Sequence, residues 1–387
     1  MSAVLAIALA SFAAWLYLLA GRGLFWLARE RDGRGESKPP VCWPAVTAVV
    51  PARNEADVIE QAVSSLLQQD YPGRFDVILV DDGSNDGTAD RALAAAQRSA
   101  ANDRLRVIQG RPPPNGWTGK LWAMAQGLDA AKMATPDAAY VLLTDADIAH
   151  QPDVLRGLVS RAEAGGLSLA SLMVKLRVDT PAERWLIPAF VFFFDMLFPF
   201  AWVNDPKRGV AAAAGGCMLV RRQALEAGGG VAAVRGEIID DCALGAQLKK
   251  QGPIWLGLTD KSHSLRPYGS LADVWRMIAR SAYAQLGYSL FNLLGAVLGM
   301  GLVFVAPPLL FALATGPARW LGLAAWLMMT LAYQPMLRFY RLSPLYGFGL
   351  PAIGALYTAC TVDSALQVWR GRGGQWKGRA QAMAGSS

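Results

Sequence analysis

The sequence predicts an α/β body, a mostly parallel sheet with helices on both faces, joined at each end to membrane-spanning helices. Three observations predict it: strand-like runs alternate with helical patterns, charge is missing at the two ends of the chain, and carboxylates follow successive strands. Between residues 45 and 145, apolar runs at 46–51, 76–80, 105–108 and 139–143 alternate with helical patterns at 56–69, 88–99 and 121–132. Each run has four to six residues and two are rich in valine, as expected of parallel strands covered on both faces. Such alternation builds βαβ units. Beyond residue 150 the pattern loosens into a run at 168–178, a Gly/Ala-rich stretch at 211–221, a helix near 240–250 and a short apolar run at 254–258. There is no internal repeat, and the only linker-like stretch is 32–40.

The ends differ from the body. Of 387 residues, 53% are apolar and 17% charged, where soluble chains carry about a quarter charged. Residues 1–21, 281–318, 320–337 and 342–362 carry no charged side chain, which excludes a purely soluble enzyme, a fibrous chain and a disordered one. The run 3–20, followed by Arg22, Arg29, Arg31, Arg34 and Lys38 with no basic residue before it, is expected to be an anchor. Its N-terminus would lie outside and residue 22 onward in the cytoplasm. Runs at 287–314, 320–337 and 345–368, broken at Gly316-Pro317 and Ser343-Pro344, are further candidate spans. Three spans after a cytoplasmic body would put Arg370, Arg372, Lys377 and Arg379 outside, against the positive-inside tendency, so one segment is expected to be re-entrant or interfacial. The aromatic run 185–203, interrupted by Asp195, reads either as a helix lying in the interface or as a buried core helix of the body. The resulting plan is an anchor at 1–27, a basic linker at 28–44, the body at 45–268, an interfacial helix at 269–286, about three spans in 287–368 and a basic tail at 369–387. The net charge of +7 does not point to nucleic acid, because much of the basic charge flanks membrane segments, where anionic lipid is the simpler partner. Four dispersed cysteines (Cys42, Cys217, Cys242, Cys360) and two histidines (His150, His263) form no zinc or disulfide pattern. The cysteines are expected to be small buried residues in a reducing compartment.

In an open parallel sheet, ligands bind outside the carboxyl ends of the strands. Pro51-Ala52-Arg53-Asn54-Glu55 follows the first predicted strand, Asp81-Asp82-Gly83-Ser84-Asn85-Asp86-Gly87 the second, and Thr144-Asp145-Ala146-Asp147 the fourth. Carboxylates gathered at one sheet edge repel and raise one another's pKa unless a cation compensates. Asp145 and Asp147, two apart on a segment leaving a strand, can both turn toward one hard divalent cation, Mg²⁺ or Mn²⁺, with substrate phosphate oxygens completing the shell. The stretch from Asp82 is no calcium loop, since its twelfth position is Leu93 where a bidentate Glu belongs. Asp86 is open between turn former and ligand.

These motifs, with the acidic stretch 237–245, resemble those of family 2 glycosyltransferases with the GT-A fold. Adding Asn115-Gly116-Trp117-Thr118-Gly119-Lys120 and the one-plus-three layout of apolar runs, the whole chain is most similar to the hopene-associated glycosyltransferases encoded in hopanoid clusters. The resemblance implies that Pro51, Arg53, Glu55 and the Asp81/Asp82 pair hold the nucleoside part of a nucleotide-sugar, expected to be a UDP-sugar. Lys120 and Asp145 would contact its diphosphate, and Asp145 and Asp147 would be the DxD metal motif; for Lys120 a solvated helix start stays open. The next family motif is an acidic pair ending in the catalytic base, here Ile238-Ile239-Asp240-Asp241, with Asp240 where Glu is usual and Asp241 as the base. Independently, displacing a nucleoside diphosphate by an alcohol needs a carboxylate to take the hydroxyl proton, opposite a metal that stabilises the leaving phosphate. One direct displacement inverts the anomeric centre. For Asp240 a plain role in the first turn of a helix stays open. Many relatives carry Gln/Arg-x-x-Arg-Trp on an interfacial helix. This chain has Met277-Ile278-Ala279-Arg280-Ser281 and keeps only Arg280, for phosphate neutralisation; Arg276 and Arg280 also fit a basic face touching anionic headgroups. Without the Trp, a processive polysaccharide synthase is disfavoured. Trp376-Lys377-Gly378-Arg379 is similar to the tails of related lipid glycosyltransferases.

The expected protein is a membrane-bound, metal-dependent, inverting glycosyltransferase, multi-pass in the cytoplasmic membrane with its body facing the cytoplasm, moving a sugar from a nucleotide-diphosphate sugar to a lipid acceptor. Its rivals are transfer to polyprenyl phosphate, which needs no general base, and a non-catalytic scaffold or lipid carrier that retains the fold. The intact acidic set argues against the scaffold.

Overall fold

The computed structural model describes residues 2–33, 37–371, 375–376 and 379–380; Arg34 of the basic flank, and Arg372, Lys377 and the end of the basic tail, lie outside the described residues. The chain forms two compact units. One, the sheet unit, holds Glu30–Arg177 and Trp202–Pro267. The other, the helical unit, holds the N-terminal stretch up to Arg29, the inserted Val178–Ala201 and Tyr268–Gly373. Residues 178–201, inside the stretch expected to form the body, thus belong to the helical unit.

The strands of the sheet unit are β1 (Val46–Ala52), β2 (Phe75–Asp81), β3 (Leu105–Gln109), β4 (Tyr140–Thr144), β5 (Ile148–His150), β6 (Leu169–Lys175), β7 (Cys217–Arg221) and β8 (Ile254–Ser264). They form one sheet in the order β3-β2-β1-β4-β7-β6-β8-β5. The first four are mutually parallel; β7 is antiparallel to β4 and β6, β6 pairs in parallel with β8, and β5 is antiparallel to β8. β1 and β4 are buried along their whole length, and each fully buried Val or Leu there contributes about 2 kcal/mol. β3, at the sheet edge, buries only Leu105 and leaves Arg106 and Gln109 exposed.

Pro51 sits in central β1 without breaking it because the pairing with β4 stops at Val49, while that with β2 runs on to Ala52. The helix Gly119–Ala134 lies flat on β1 and β2 because Gly127 has no side chain: a Cβ there would stand 2.9 Å from Val80 Cγ2. Lys249 is drawn under the 202–210 loop, where its ammonium donates to the carbonyls of Val203 (2.8 Å), Asp205 (3.1 Å) and Val210 (2.6 Å).

Among the described residues of the helical unit, three helices are long and apolar enough to cross a membrane: Ala3–Ala20, Leu290–Leu313 and Pro344–Trp369. The fourth expected span forms the 23-residue helix Pro317–Phe339. Arg319, Gln334 and Arg338 interrupt its apolar character, and Ala325, Met329, Ala332 and Tyr333 on it are fully buried. Leu290–Leu313 changes to a π-turn over Gly301–Val305 just before Pro307 and Pro308. Neither proline can donate to the carbonyl of Val303; Trp15 Nε1 of the first helix does so instead, at 2.8 Å, which satisfies a backbone acceptor that the helix leaves open.

Run 185–203 lies mainly in the helix Pro181–Leu197. One face of it is buried, within the helical unit, while Trp185 and Leu197 are exposed: Phe193 meets Tyr357 (4.8 Å between centroids) and Phe304 (5.3 Å), and Phe192 meets Tyr333 (5.2 Å). Asp195, which interrupts the apolar run, accepts from the backbone N–H of Phe200 at 3.0 Å and so turns the chain. Among the described residues all four cysteines are free; Cys217 and Cys360 are buried and Cys242 is intermediate, but Cys42 is exposed, contrary to expectation.

Candidate functional site

Two loops at the carboxyl ends of β1 and β2 are laced together by side chains. The backbone N–H of Asn54, held at φ 50°, donates to Ser84 Oγ (2.9 Å), and its Oδ1 accepts from the N–H of Asn85 (3.1 Å). The N–H of Glu55 donates to Thr88 Oγ1 (2.8 Å) and that of Ala56 to Asp86 Oδ2 (3.0 Å). Asp86 also accepts from the N–H of Thr88 (3.1 Å). It is therefore a loop clamp, which answers the question its turn-like context left open. Burial pushes its carboxyl up, but donors on Thr88 and Ala56 outweigh that and hold it below the usual range.

Asp81 and Asp82 are buried. Asp81 Oδ1 accepts from the N–H of Ser84 (3.1 Å). Arg53 donates to the carbonyl of Asp82 and lies 3.7 Å from its Oδ2, while its buried Nε finds no partner among the described residues. Pro51, Arg53, Glu55, Asp81 and Asp82 thus share one edge, with Pro51 in the strand and the others at or beyond strand ends.

The second cluster centres on Lys120, whose helix starts at an N-cap, Thr118, accepting from the N–H of Leu121 at 3.3 Å. Its ammonium lies 2.9 Å from Asp145 Oδ1 and 3.4 Å from Asp240 Oδ2. Burial works against that charge, but Asp145 and Asp240 hold its pKa above the ordinary lysine value. Asp145 is raised, chiefly by burial, with Lys120 opposing and Asp147 adding to the rise. Asp240 and Asp241 open the helix Asp240–Lys249. Asp241 Oδ2 accepts from the N–H of Gly215 at 2.9 Å. Burial and then Asp240 push its pKa up to about 6, against Lys120. A Cβ at Gly215 would stand 3.3 Å from Asp241 Oδ2 and 3.4 Å from Lys120 Nζ, so glycine lets backbone, base candidate and cation converge.

Arg266 was invisible to sequence reasoning. Its Nη2 donates to both oxygens of Glu55 (2.8 and 2.9 Å) and its Nε to Asp147 Oδ2 (2.8 Å). The available signal was its place two residues after a strand. The apolar run at 254–258 suggested that strand ended early, because its second half, Thr259-Asp260-Lys261-Ser262-His263-Ser264, is polar; β8 in fact continues to Ser264. Behind the cluster, buried His150 joins Ser262 Oγ (2.8 Å) and Thr144 Oγ1 (3.0 Å), and burial lowers its pKa to about 4. Within the sheet unit, the structure brings Pro51, Arg53, Glu55, Asp81, Asp82, Lys120, Asp145, Asp147, Asp240 and Asp241 to this edge. Arg280 is an exposed residue of the helical unit, closing the helix Leu271–Ala279.

The donor chemistry at Asp145 and Asp147 suits a hard divalent cation: each offers carboxylate oxygens, and each is partnered by a cationic side chain that marks the local need for positive charge. Among the described residues no three His, Cys, Asp or Glu side chains gather as a complete metal cage. A cation here would take its remaining ligands from phosphate or water oxygens, the usual arrangement for Mg²⁺.

Residues 47–229 match the model of the family described as Glycosyl transferase family 2; the match stops short of Asp240, Asp241 and Arg266. The chain is similar to an N-acetylglucosaminyltransferase of Rhizobium leguminosarum bv. viciae, 29% identical over 189 residues, covering 47% of this chain and 40% of that protein. It is also similar to an undecaprenyl-phosphate 4-deoxy-4-formamido-L-arabinose transferase of Pseudomonas savastanoi pv. phaseolicola, 29% identical over 183 residues, 45% of this chain and 46% of that one. The matched region spans less than half the length of these curated relatives. Among solved structures, a mannosyltransferase from Pyrobaculum calidifontis in complex with GDP-Man and Mn²⁺ superposes over 94% of this chain and 99% of that one, with a TM-score of 0.59 at 21% identity.

Proposed function

From a chain that carries a family 2 glycosyltransferase domain with the GT-A fold, we propose a membrane-bound, divalent-metal-dependent, inverting enzyme that moves a sugar from a nucleotide-diphosphate sugar, of the UDP class, to the hydroxyl of a membrane lipid. One observation carries the reading: Asp145, Lys120, Asp240 and Asp241 converge at one sheet edge, so a leaving-group site and a base lie side by side. In this reading Arg53, Glu55, Asp81 and Asp82 hold the nucleoside and Lys120 faces the diphosphate. Asp241 takes the proton from the acceptor hydroxyl as that oxygen attacks the anomeric carbon and the nucleoside diphosphate leaves on the opposite side. Asp145 and Asp147 would hold Mg²⁺ or Mn²⁺, which when bound supplies charge neutralisation of the departing diphosphate. Gly215 N–H fixes the orientation of Asp241, and its raised pKa suits a proton acceptor near neutrality. Arg280 is assigned to phosphate contact by resemblance alone.

The three apolar helices support anchoring, and the basic residues after the first, Arg22, Arg29 and Arg31, support a cytoplasmic body. A hopanoid-related acceptor follows from the whole-chain resemblance. One relative's name, an undecaprenyl-phosphate transferase, favours a second reading in which the acceptor is a polyprenyl phosphate, already ionised and needing no base.

The test is release of nucleoside diphosphate by detergent-purified protein over a panel of nucleotide-sugars, with Mn²⁺ or Mg²⁺ and membrane lipid. Lipid-dependent release abolished by both Asp147→Ala and Asp241→Asn supports the hydroxyl acceptor. Release that survives Asp241→Asn supports the phosphate acceptor, and folded protein that releases nothing from any donor refutes the enzyme.

A further inference from the structure

We propose that Arg266 is a positioning residue that latches the donor site: its guanidinium bridges Glu55 and Asp147 and must leave Asp147 before a divalent cation can take that carboxylate. The inference rests on the reading of Asp147 as a cation ligand.

The geometry is that of a displaceable internal cation. Two nitrogens of one planar guanidinium are used, Nη2 on both oxygens of Glu55 and Nε on Asp147, so a single side chain neutralises two carboxylates that lie far apart in sequence. Arginine cannot shed its charge in a protein; the bridge opens only by movement. Movement is cheap for the side chain and costly for its backbone. The side chain is 37% exposed against 10% for Glu55 and 16% for Asp147, so it covers its partners from the solvent side and can swing outward. The backbone beneath is pinned: the N–H of Leu265 donates to the carbonyl of Asp147 (2.8 Å), that of Arg266 reaches Ser264 Oγ (3.3 Å), and Arg177 holds the carbonyl of Leu265 (3.2 Å). A cation arriving alone has to displace the guanidinium unaided. A group that engages Glu55 removes the other half of the bridge first, so occupancy near Glu55 and cation binding at Asp147 are coupled through Arg266.

The test measures binding of Mn²⁺ alone, by electron paramagnetic resonance, to detergent-purified full-length protein, with a thermal melt to establish folding. Relative to wild type, Arg266→Gln is expected to bind Mn²⁺ about tenfold tighter, the scale of one lost charge-assisted bridge. Arg266→Lys keeps the charge but cannot span two carboxylates and is expected to show part of that gain. It also serves as the test if Arg266→Gln does not fold. Unchanged or weaker Mn²⁺ binding in folded Arg266→Gln overturns the latch, and so does an Arg266→Lys that behaves as wild type, since the effect would then be charge alone. Adding Asp147→Ala to either variant is expected to cancel the gain. If the gain survives Asp147→Ala, the ion binds elsewhere, and the reading of Asp147 as a ligand fails with the latch. If the gain is absent while Asp147→Ala still weakens wild-type binding, only the latch fails.

Discussion

The two halves of the sheet do different work. The parallel half, β3-β2-β1-β4, delivers carboxylates: Asp81 ends β2, and Glu55, Asp82, Asp145 and Asp147 follow its strands. The mixed half, β7-β6-β8-β5, delivers the countercharge Arg266 after β8, and the connection between β7 and β8 delivers Asp240 and Asp241. The difference teaches how an acidic edge can exist without a bound substrate. Asp145 and Asp147 each already rest on a cation, Asp145 on Lys120 and Asp147 on Arg266, and one of those cations comes from more than a hundred residues away. Burial and neighbouring acids still raise Asp145 and Asp241, and Lys120 opposes that rise at both.

Substitutions can break that comparison, and the largest effect is expected where both halves meet. Asp147→Ala, on the parallel side, and Asp241→Asn, on the mixed side, should each lower nucleoside diphosphate release by about a hundredfold or more; a loss confined to one of them would separate cation binding from proton transfer. The pH profile sharpens the point. In its proposed role as base, Asp241 must be ionised, so with its pKa at about 6, kcat/KM should rise with pH through about 6 and level off above. Lys120→Met removes the charge that opposes the rise, and the limb should move to higher pH, in a rate profile measured over pH 5 to 8 at constant ionic strength.

A further prediction concerns stability behind the edge. His150, buried between Thr144 and Ser262, has its pKa lowered from 6.5 to about 4. The unfolded chain therefore binds the proton first as pH falls. Its contribution is complete above pH 6.5 and is lost as pH falls toward 4, by about 3 kcal/mol in total. Chemical unfolding of the wild type at pH 7 and pH 4.5, set against His150→Gln, checks this; equal pH slopes in the two would refute it.

Smaller effects distinguish acids that clamp from acids that bind. Asp86→Ala removes a clamp between two loops and should cost about 1–2 kcal/mol of stability, read by thermal unfolding, while Mn²⁺ binding stays as in wild type. At the bottom of the scale, the exposed Arg98–Glu60 pair should contribute no more than about 0.5 kcal/mol, as a double-mutant cycle on it would measure.

Much of the parallel half was legible because short valine-rich runs and the polar residues after them are local signals. Pro51, Arg53, Glu55, Asp81, Asp82, Lys120, Asp145, Asp147, Asp240 and Asp241 could all be named from short motifs, and all lie at one edge. The mixed half was less legible. β8 is apolar only at its start, so its end, and with it Arg266, fell outside any local pattern. The burial of helix Pro181–Leu197 in the helical unit depends on partners such as Tyr333 and Tyr357, over a hundred residues downstream.

What the sequence determined by itself was the alternation of strands and helices, the apolar ends and the acidic residue types at strand ends, because hydrophobic periodicity and turn chemistry act over a few neighbouring residues. What only the tertiary structure decided was pairing: that β8 lies between β6 and β5, that Trp15 caps the Val303 carbonyl freed by two prolines, that Asp86 closes a loop, and that Arg266 rather than a histidine or another acid faces Asp147. Those contacts form between groups far apart in the chain, and Coulomb and hydrogen-bond terms depend on distances that only the folded chain sets.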